Sequence, residues 1–470
     1  MHYQYRLILF TVSLGGVVWF SLLASSQPFP AVLTTTPELP SNATVEDYIR
    51  LAEQRNPGLQ AAFHRWQGAL KKISQVTSLE DPRLSFMEYL ERTMETQQEL
   101  GVMQMFPYPG KLALRGQVES AEAEALRKEL EKARLDLRAE VKDAFYEYYY
   151  LERTIEINAE NLDLLKHFES VATARYGVGR GGNQDVIKAQ VELGKIENEL
   201  RNLEDSRSPV RARLNATMNR PTSASLPSPA EVDTRVVALE ADALLQAAFR
   251  GNPELQAIDA RIRKANDQVA LARKEYFPDF SLGLNWMNAN TRMDQSMEDE
   301  YVASIEMNLP VYRKRIAAMV QEAQSGVQEY QSMRQDAQNR IAVDLQNQLY
   351  KLRNAERQLK LLAELLIPKA HQSLQVTETS YSAGQASFLE LVDTERELLM
   401  FQENYYRSIA DYLQALAKIE AMVGRSVVDQ NAPPLLLPRI DQASSPAEGP
   451  IETDSPDSVD VPEEPPVPGP

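Results

Sequence analysis

The side chains that usually carry out chemistry are scarce and poorly spaced in this sequence. Its four histidines, His2, His64, His167 and His371, show no metal-ligand spacing. Cysteine is absent, which removes disulfides, thiolate metal sites, a cysteine nucleophile and a lipid-anchored N-terminal cysteine. Neither HExxH nor a P-loop occurs. Met87, Met103, Met105, Met287, Met293, Met297 and Met307 gather near segments of strand character. Thioether sulfur suits soft metal ions, but methionine is also flexible apolar filling. Nothing points to an active site, a resident metal or a cofactor, and the chain is expected not to be an enzyme.

The remaining polar residues of interest sit where helices turn. From Leu112 to Tyr176 the sequence is rich in Ala, Glu, Leu, Lys and Arg. Leu130, Ala133, Leu137, Val141, Ala144, Tyr148, Leu151 and Ile155 step by three or four, a near-heptad seam. Some 60 residues at 1.5 Å rise make a rod of about 90–100 Å. A second such segment runs from about Arg313 to Tyr381, with Ile341, Leu345, Leu349, Leu352, Leu359 and Leu362 in similar positions. Pro368 marks a kink or a junction in it. Each rod ends at a glycine turn, Gly177 to Gly182 in one and Ala383-Gly384 in the other, and a second helix runs back over 184–218 and 386–423. Asp185, Glu390 and Asp393 follow these turns, where acids favour a helix N-terminus.

Two further segments precede each rod. DFSLGLNW (279–286) alternates strictly between apolar and polar residues, YVASIEMNL (301–309) also alternates, with Val302 among its polar positions, and 83–90 and 98–106 do so less regularly. Strands of this kind fit either a half-buried soluble sheet or a barrel wall with lipid outside and water inside. Four strands cannot close a barrel, and open edges cannot sit in lipid, so strands pooled from three chains, twelve in all, resolve the problem. In MQMFPYPGKLALR (103–115) the change from strand to helix is abrupt. Pro107 removes a ladder donor and pushes its neighbours towards extended conformations, and Gly110, after Pro109, permits a sharp turn. Pro310 holds the corresponding place in the second set of strands.

The chain is duplicated. NPGLQAAFHRWQGALKKISQVTSLEDPRLSF (56–86) aligns without a gap to NPELQAIDARIRKANDQVALARKEYFPDFSL (252–282). The expected layout is a signal peptide at 1–26, a linker at 27–43 and a first repeat at 44–219. A Pro/Ser-rich link (220–238), a second repeat (239–425) and an acidic, Pro-rich disordered tail (426–470) follow. The net charge is -17, with eight acids and no Lys or Arg in 441–470, which argues against nucleic acid as a partner. Mean hydropathy is -0.40, which argues against a bundle of transmembrane helices.

The two NPxLQA helix starts, DPRLSF and FPDFSL, MFPYPGKLALR, and the tips ARYGVGRGGNQDVIKAQVEL and TSYSAGQASFLELVDTEREL occur in one order twice over. Over roughly residues 44–425 the chain resembles the TolC-type outer-membrane efflux family, and its PYPGK form is more like members that serve heavy-metal pumps. The resemblance implies a mainly α protein with membrane β: a homotrimer with a 12-stranded outer-membrane barrel, four strands per chain, and a long periplasmic α-barrel built from helical hairpins. It implies an exit duct in outer-membrane lipid, joined by a periplasmic adaptor to an inner-membrane efflux transporter that chooses the cargo. By motif position it implies an aperture gate at Asp185, Tyr381, Glu390 and Asp393, and adaptor contacts at the tip glycines Gly177, Gly179 and Gly384. Ala386 stands where the family often has an arginine, and Arg175 or Arg180 is the candidate substitute. The alternative is a soluble periplasmic coiled-coil adaptor or scaffold whose strands form a small sheet.

Overall fold

The computed structural model describes residues 39–41, 43–89, 96–232, 234, 240–289 and 299–427. The signal peptide, most of the linker after it, part of the inter-repeat link, nearly all of the tail, and Met293 and Met297 lie outside the described residues.

Two asparagines show why the NPxLQA motif is needed twice. Asn56 precedes α2 (Pro57–Thr77) and Asn252 precedes α6 (Pro253–Lys274). Each asparagine oxygen accepts a backbone N–H of the first turn, from Leu59 and Glu254 respectively, and each following proline occupies a position whose N–H would be unpaired anyway. Each asparagine amide then donates to the end of a distant helix, Asn56 to the Thr217 carbonyl and Asn252 to the Met422 carbonyl. One residue thus starts one helix and anchors the end of another. Short helices, α1 (Val45–Arg55) and α5 (Ala241–Gly251), lead into these caps.

Strands β1 (Arg83–Glu88) and β2 (Thr96–Phe106) follow α2, while β3 (Phe280–Ala289) and β4 (Glu300–Met307) follow α6. They form one antiparallel sheet in the order β1-β2-β3-β4. The register aligns Phe86, Leu100, Trp286 and Tyr301 in one row, and Leu84, Val102, Leu284 and Ala303 in the next. A period of two therefore places the aromatic residues and, Val302 apart, the branched aliphatic residues of all four strands on one face. That face is uncovered: Leu84 is 71% exposed and Ile305 73%. The opposite face carries Ser85, Glu99, Asn285, Ser304 and Glu306 together with Met87, Met103, Met105 and Met287, whereas Met307 lies on the apolar face.

The rods are α3 (Lys111–Gly177), 67 residues and about 100 Å long, and α7 (Arg313–Leu361) continuing into α8 (Ile367–Ala383). Between α7 and α8 a single π turn, Leu362–Leu366, takes up the break that Pro368 imposes by lacking an N–H. The kink expected at Pro368 is this π turn. The return helices are α4 (Asn183–Thr217) and α9 (Phe388–Val423). Leu137, Val141, Ala144, Tyr148, Leu151 and Ile155 are buried, as are Ile341, Leu345, Leu349, Leu352, Leu359 and Leu362, so both predicted seams enter the core, with Leu130 and Ala133 of the first half-buried against it. α3 packs on α4 and α9, and α9 in turn packs on α7 and α8. No helix among the described residues is long and apolar enough to cross a membrane.

Candidate functional site: the strand–helix junction and the hairpin tips

At the junction, β2 ends at Phe106, and Pro107-Tyr108 lead into a turn at Pro109-Gly110 that the Lys111 N–H closes on the Tyr108 carbonyl at 3.0 Å; the Gly110 φ of 91° is in the left-handed region. The residue that follows was not singled out from the sequence. Lys111 is fully buried, and its Nζ lies 3.0 Å from Asp279 Oδ2 and 3.2 Å from Glu275 Oε2. Asp279 Oδ1 also accepts the Tyr108 N–H at 2.7 Å, and the Asp279 N–H donates to Asn308 Oδ1. Tyr108 stacks on Phe277 at 4.5 Å with the Lys274 ammonium over both rings. The end of the first strand pair is thereby bolted to the start of the second. The counterpart after β4 is looser: Pro310 is the centre of a tight turn closed by the Val311 N–H on the Leu309 carbonyl at 2.8 Å, and Leu309, Val311 and Tyr312 are strongly exposed.

At the other end, Gly179 (φ 72°) and Gly384 (φ 80°) turn the two hairpins in left-handed conformations, while Gly177 is the last residue of α3. The Arg175 guanidinium lies 4.5 Å over the ring of Tyr381, and Tyr381 meets Phe388 edge-on at 5.6 Å. This contact ties the first hairpin to the second. Arg175 Nη2 donates to the Arg180 carbonyl at 3.3 Å. Tyr381 is buried, its hydroxyl has no partner, and burial pushes its phenol above the ordinary value; the Asp185 charge adds to this and Arg175 opposes it.

The structure brings Tyr381 and Asp185 within electrostatic reach of each other and separates the other two acids by role. Glu390 forms a capping box: its backbone N–H donates to Ser387 Oγ at 3.2 Å and its Oε2 accepts the Ser387 N–H at 2.8 Å. Asp393 is exposed and lies 3.4 Å from Arg396, which holds Glu192 of α4 at 2.6 Å. Among the described residues neither Arg175 nor Arg180 forms an ion pair with Asp185, Glu390 or Asp393; Arg175 binds a ring instead. No group of three or more His, Asp or Glu side chains placed to hold a metal occurs among them.

A sheet with one uncovered apolar face, joined by a pinned corner at Lys111 and a looser one at Pro310 to helical hairpins about 100 Å long, defines the class: a membrane duct with a long helical extension on one side. A model of the family described as outer membrane efflux protein matches residues 48–220 and 244–425, and the chain belongs to that family. Among characterised relatives, it is 23% identical over 390 residues to the cobalt-zinc-cadmium resistance protein CzcC of Cupriavidus metallidurans, covering 81% of this chain and 90% of that one. It is also 23% identical over 320 residues to the pyoverdine export outer membrane protein OpmQ of Pseudomonas putida, covering 66% and 67%. The outer-membrane channel OprN superposes with a TM-score of 0.70 at 17% identity, over 82% of this chain and 90% of that one. The chain is thus an outer-membrane exit duct of a tripartite efflux system, with a long periplasmic helical extension. The soluble-scaffold alternative falls with this family membership.

Proposed function

We propose that three copies of the chain pool their sheets into a closed twelve-stranded barrel and their hairpins into one periplasmic tube, whose tips form the aperture and meet a periplasmic adaptor. The observation that carries this reading is the four-stranded sheet, apolar and uncovered on one face, with β1 and β4 as free edges within the chain. Open edges are costly in lipid, and closure through further copies removes them. The flanks of the helical region agree. Ile187 and Val191 on α4, and Val343, Tyr350 and Val376 on α7 and α8, are exposed apolar residues at its two ends, where the next copy would cover them.

In such a tube Asp185, Glu390 and Asp393 become threefold rings, and rings of carboxylates in a narrow pore attract cations. Tyr381 and Arg175 act as the latch that keeps the two hairpins of one copy together at the tip. Gly179 and Gly384 make tight turns and Gly177 ends α3 beside them, all with little side chain, which suits an adaptor that docks tip to tip. The cargo follows from the pump engaged behind the adaptor; cobalt, zinc and cadmium, and pyoverdine, are the cargoes that the names of the two relatives suggest.

The test is conductance in planar bilayers. The parent protein is expected to give small, infrequent openings, and Arg175→Ala combined with Tyr381→Ala larger and longer ones. Protein that never enters the bilayer, or a double variant with unchanged conductance, would count against the aperture.

A further inference from the structure

Between α3, α8 and α9, beside the π turn and Pro368, lies a cavity of about 710 Å³. This is within the range of pockets that hold drug-sized molecules. Part of its wall is apolar, formed by Ile157, Leu164, Leu374 and Leu398. One polar group in it stands apart. Glu395 on α9 is 3% exposed, and its Oε1 has no hydrogen-bond partner. A buried carboxyl oxygen without a donor is costly, and such groups usually mark a place where something else binds. His371 Nε2, which is also buried and unpartnered, lines the same space.

The charges around Glu395 set the sign of the ligand. From α3, Asn161 lies beside the carboxyl and favours its ionised form, and Glu160 lines the cavity. From α8 come Glu378, with His167 of α3 at 3.6 Å, Lys369, whose ammonium donates to Gln372, and His371, whose imidazole pKa is lowered by burial. Arg396, next along α9, is engaged by Glu192 of α4 and by Asp393; its charge offsets the burial of Glu395 only in part, and the Glu192 charge opposes it. Three carboxyl groups against one lysine make this a place for a positive ligand.

We propose that this cavity binds a small amphiphilic cation, with the Glu395 carboxylate taking the charged group and the leucine-lined wall taking the apolar body. The site is separate from the aperture and the proposal does not depend on conduction. Binding requires the ionised carboxylate. Burial raises the Glu395 pKa to about 7, so affinity falls as the medium is acidified and bound cation displaces a proton.

Rhodamine 6G, cationic throughout pH 5–9, serves as the probe, with the full chain in neutral maltoside micelles and empty micelles as the blank. The expected result at pH 8 is one dye bound per chain, at least tenfold weaker binding at pH 5.5, and at least tenfold weaker binding of uncharged N-phenyl-1-naphthylamine. Glu395→Gln keeps the shape and the acceptor for Asn161; it should lose at least tenfold in dye affinity and flatten the pH profile. Gln375→Trp, at the exposed rim of the cavity, should block the dye with no change in helicity, and it stands as the check if Glu395→Gln fails to fold. Dye binding that is absent, independent of pH, matched by the uncharged probe, or unaltered by these substitutions overturns the proposal.

Discussion

Replacing Lys111 with methionine should release the strand–helix corner without unfolding either element. The ammonium is buried between Asp279 and Glu275, and Met fills its volume but leaves the Asp279 carboxylate without a cation. Removing one partner of a buried pair typically costs about 3–5 kcal/mol. Here Asp279 keeps the Tyr108 N–H, and Glu275 is about one-third exposed, so the lower end applies, about 3 kcal/mol. That is roughly 150-fold in a local opening equilibrium. The reporters are the amides of Tyr108, Lys111 and Leu114, which donate to Asp279 Oδ1, the Tyr108 carbonyl and the Gly110 carbonyl. Hydrogen exchange followed by mass spectrometry on peptides spanning 104–115 should show about two decades of faster exchange, while the core of α3 near Tyr148 stays protected. Adding Asp279→Asn keeps an acceptor for Tyr108 and removes the stranded charge, so most of the protection should return. Exchange in Lys111→Met within threefold of the parent would refute the argument that this ion pair fixes the corner.

The tip glycines should differ in their tolerance. Gly384→Ala forces a left-handed Cβ, worth about 1 kcal/mol, so exchange of peptide 381–388 should quicken roughly fivefold; Gly177→Ala, helical and with open space at its Cβ, should not change its own segment. Stability should depend on pH through Glu395. Its folded-state pKa is about 7 against 4.5 ordinarily, so the folded chain holds this proton more tightly than the unfolded chain. That contribution is complete below pH 4.5 and is lost as the pH rises through 7, on the order of 3 kcal/mol. Thermal melts of parent and Glu395→Gln in micelles should therefore diverge between pH 5 and 8, the variant gaining on the parent as pH rises; parallel profiles would contradict it.

Much of the fold was legible because its signals are periodic. Near-heptad seams such as Leu137 to Ile155 can be read one residue at a time, and so can the strict alternation of DFSLGLNW. The glycine turns and Pro368 punctuate the helices at the places where the chain does turn or change its winding. What escaped was pairing at a distance. Lys111 reads as an ordinary first-turn lysine, and nothing local shows that Asp279, 168 positions away, will bury it. Glu395 reads as one more charge on a charged helix, because exposure depends on which neighbours α9 meets. At the tip, Arg175 was a candidate for an acid and lies on a tyrosine ring; both are sound uses of a guanidinium, and only geometry separates them. Asn56 and Asn252 were visible as repeats, but their second hydrogen bonds, to the ends of α4 and α9, were not.

The central claim is that three sheets close on one another, edge to edge. The cysteine-free chain makes a direct test feasible: introduce one cysteine on β1 at Ser85 and one on β4 at Val302, Ser304 or Glu306, in turn, and oxidise the protein in outer membranes. Within one chain β1 and β4 lie three strand spacings apart, about 14 Å, which is beyond disulfide reach, so any bond must join two copies. The account predicts that at least one pair gives a covalent trimer and nothing larger on a denaturing gel. Monomer in every pair, or an open ladder running past three, would contradict the closed barrel.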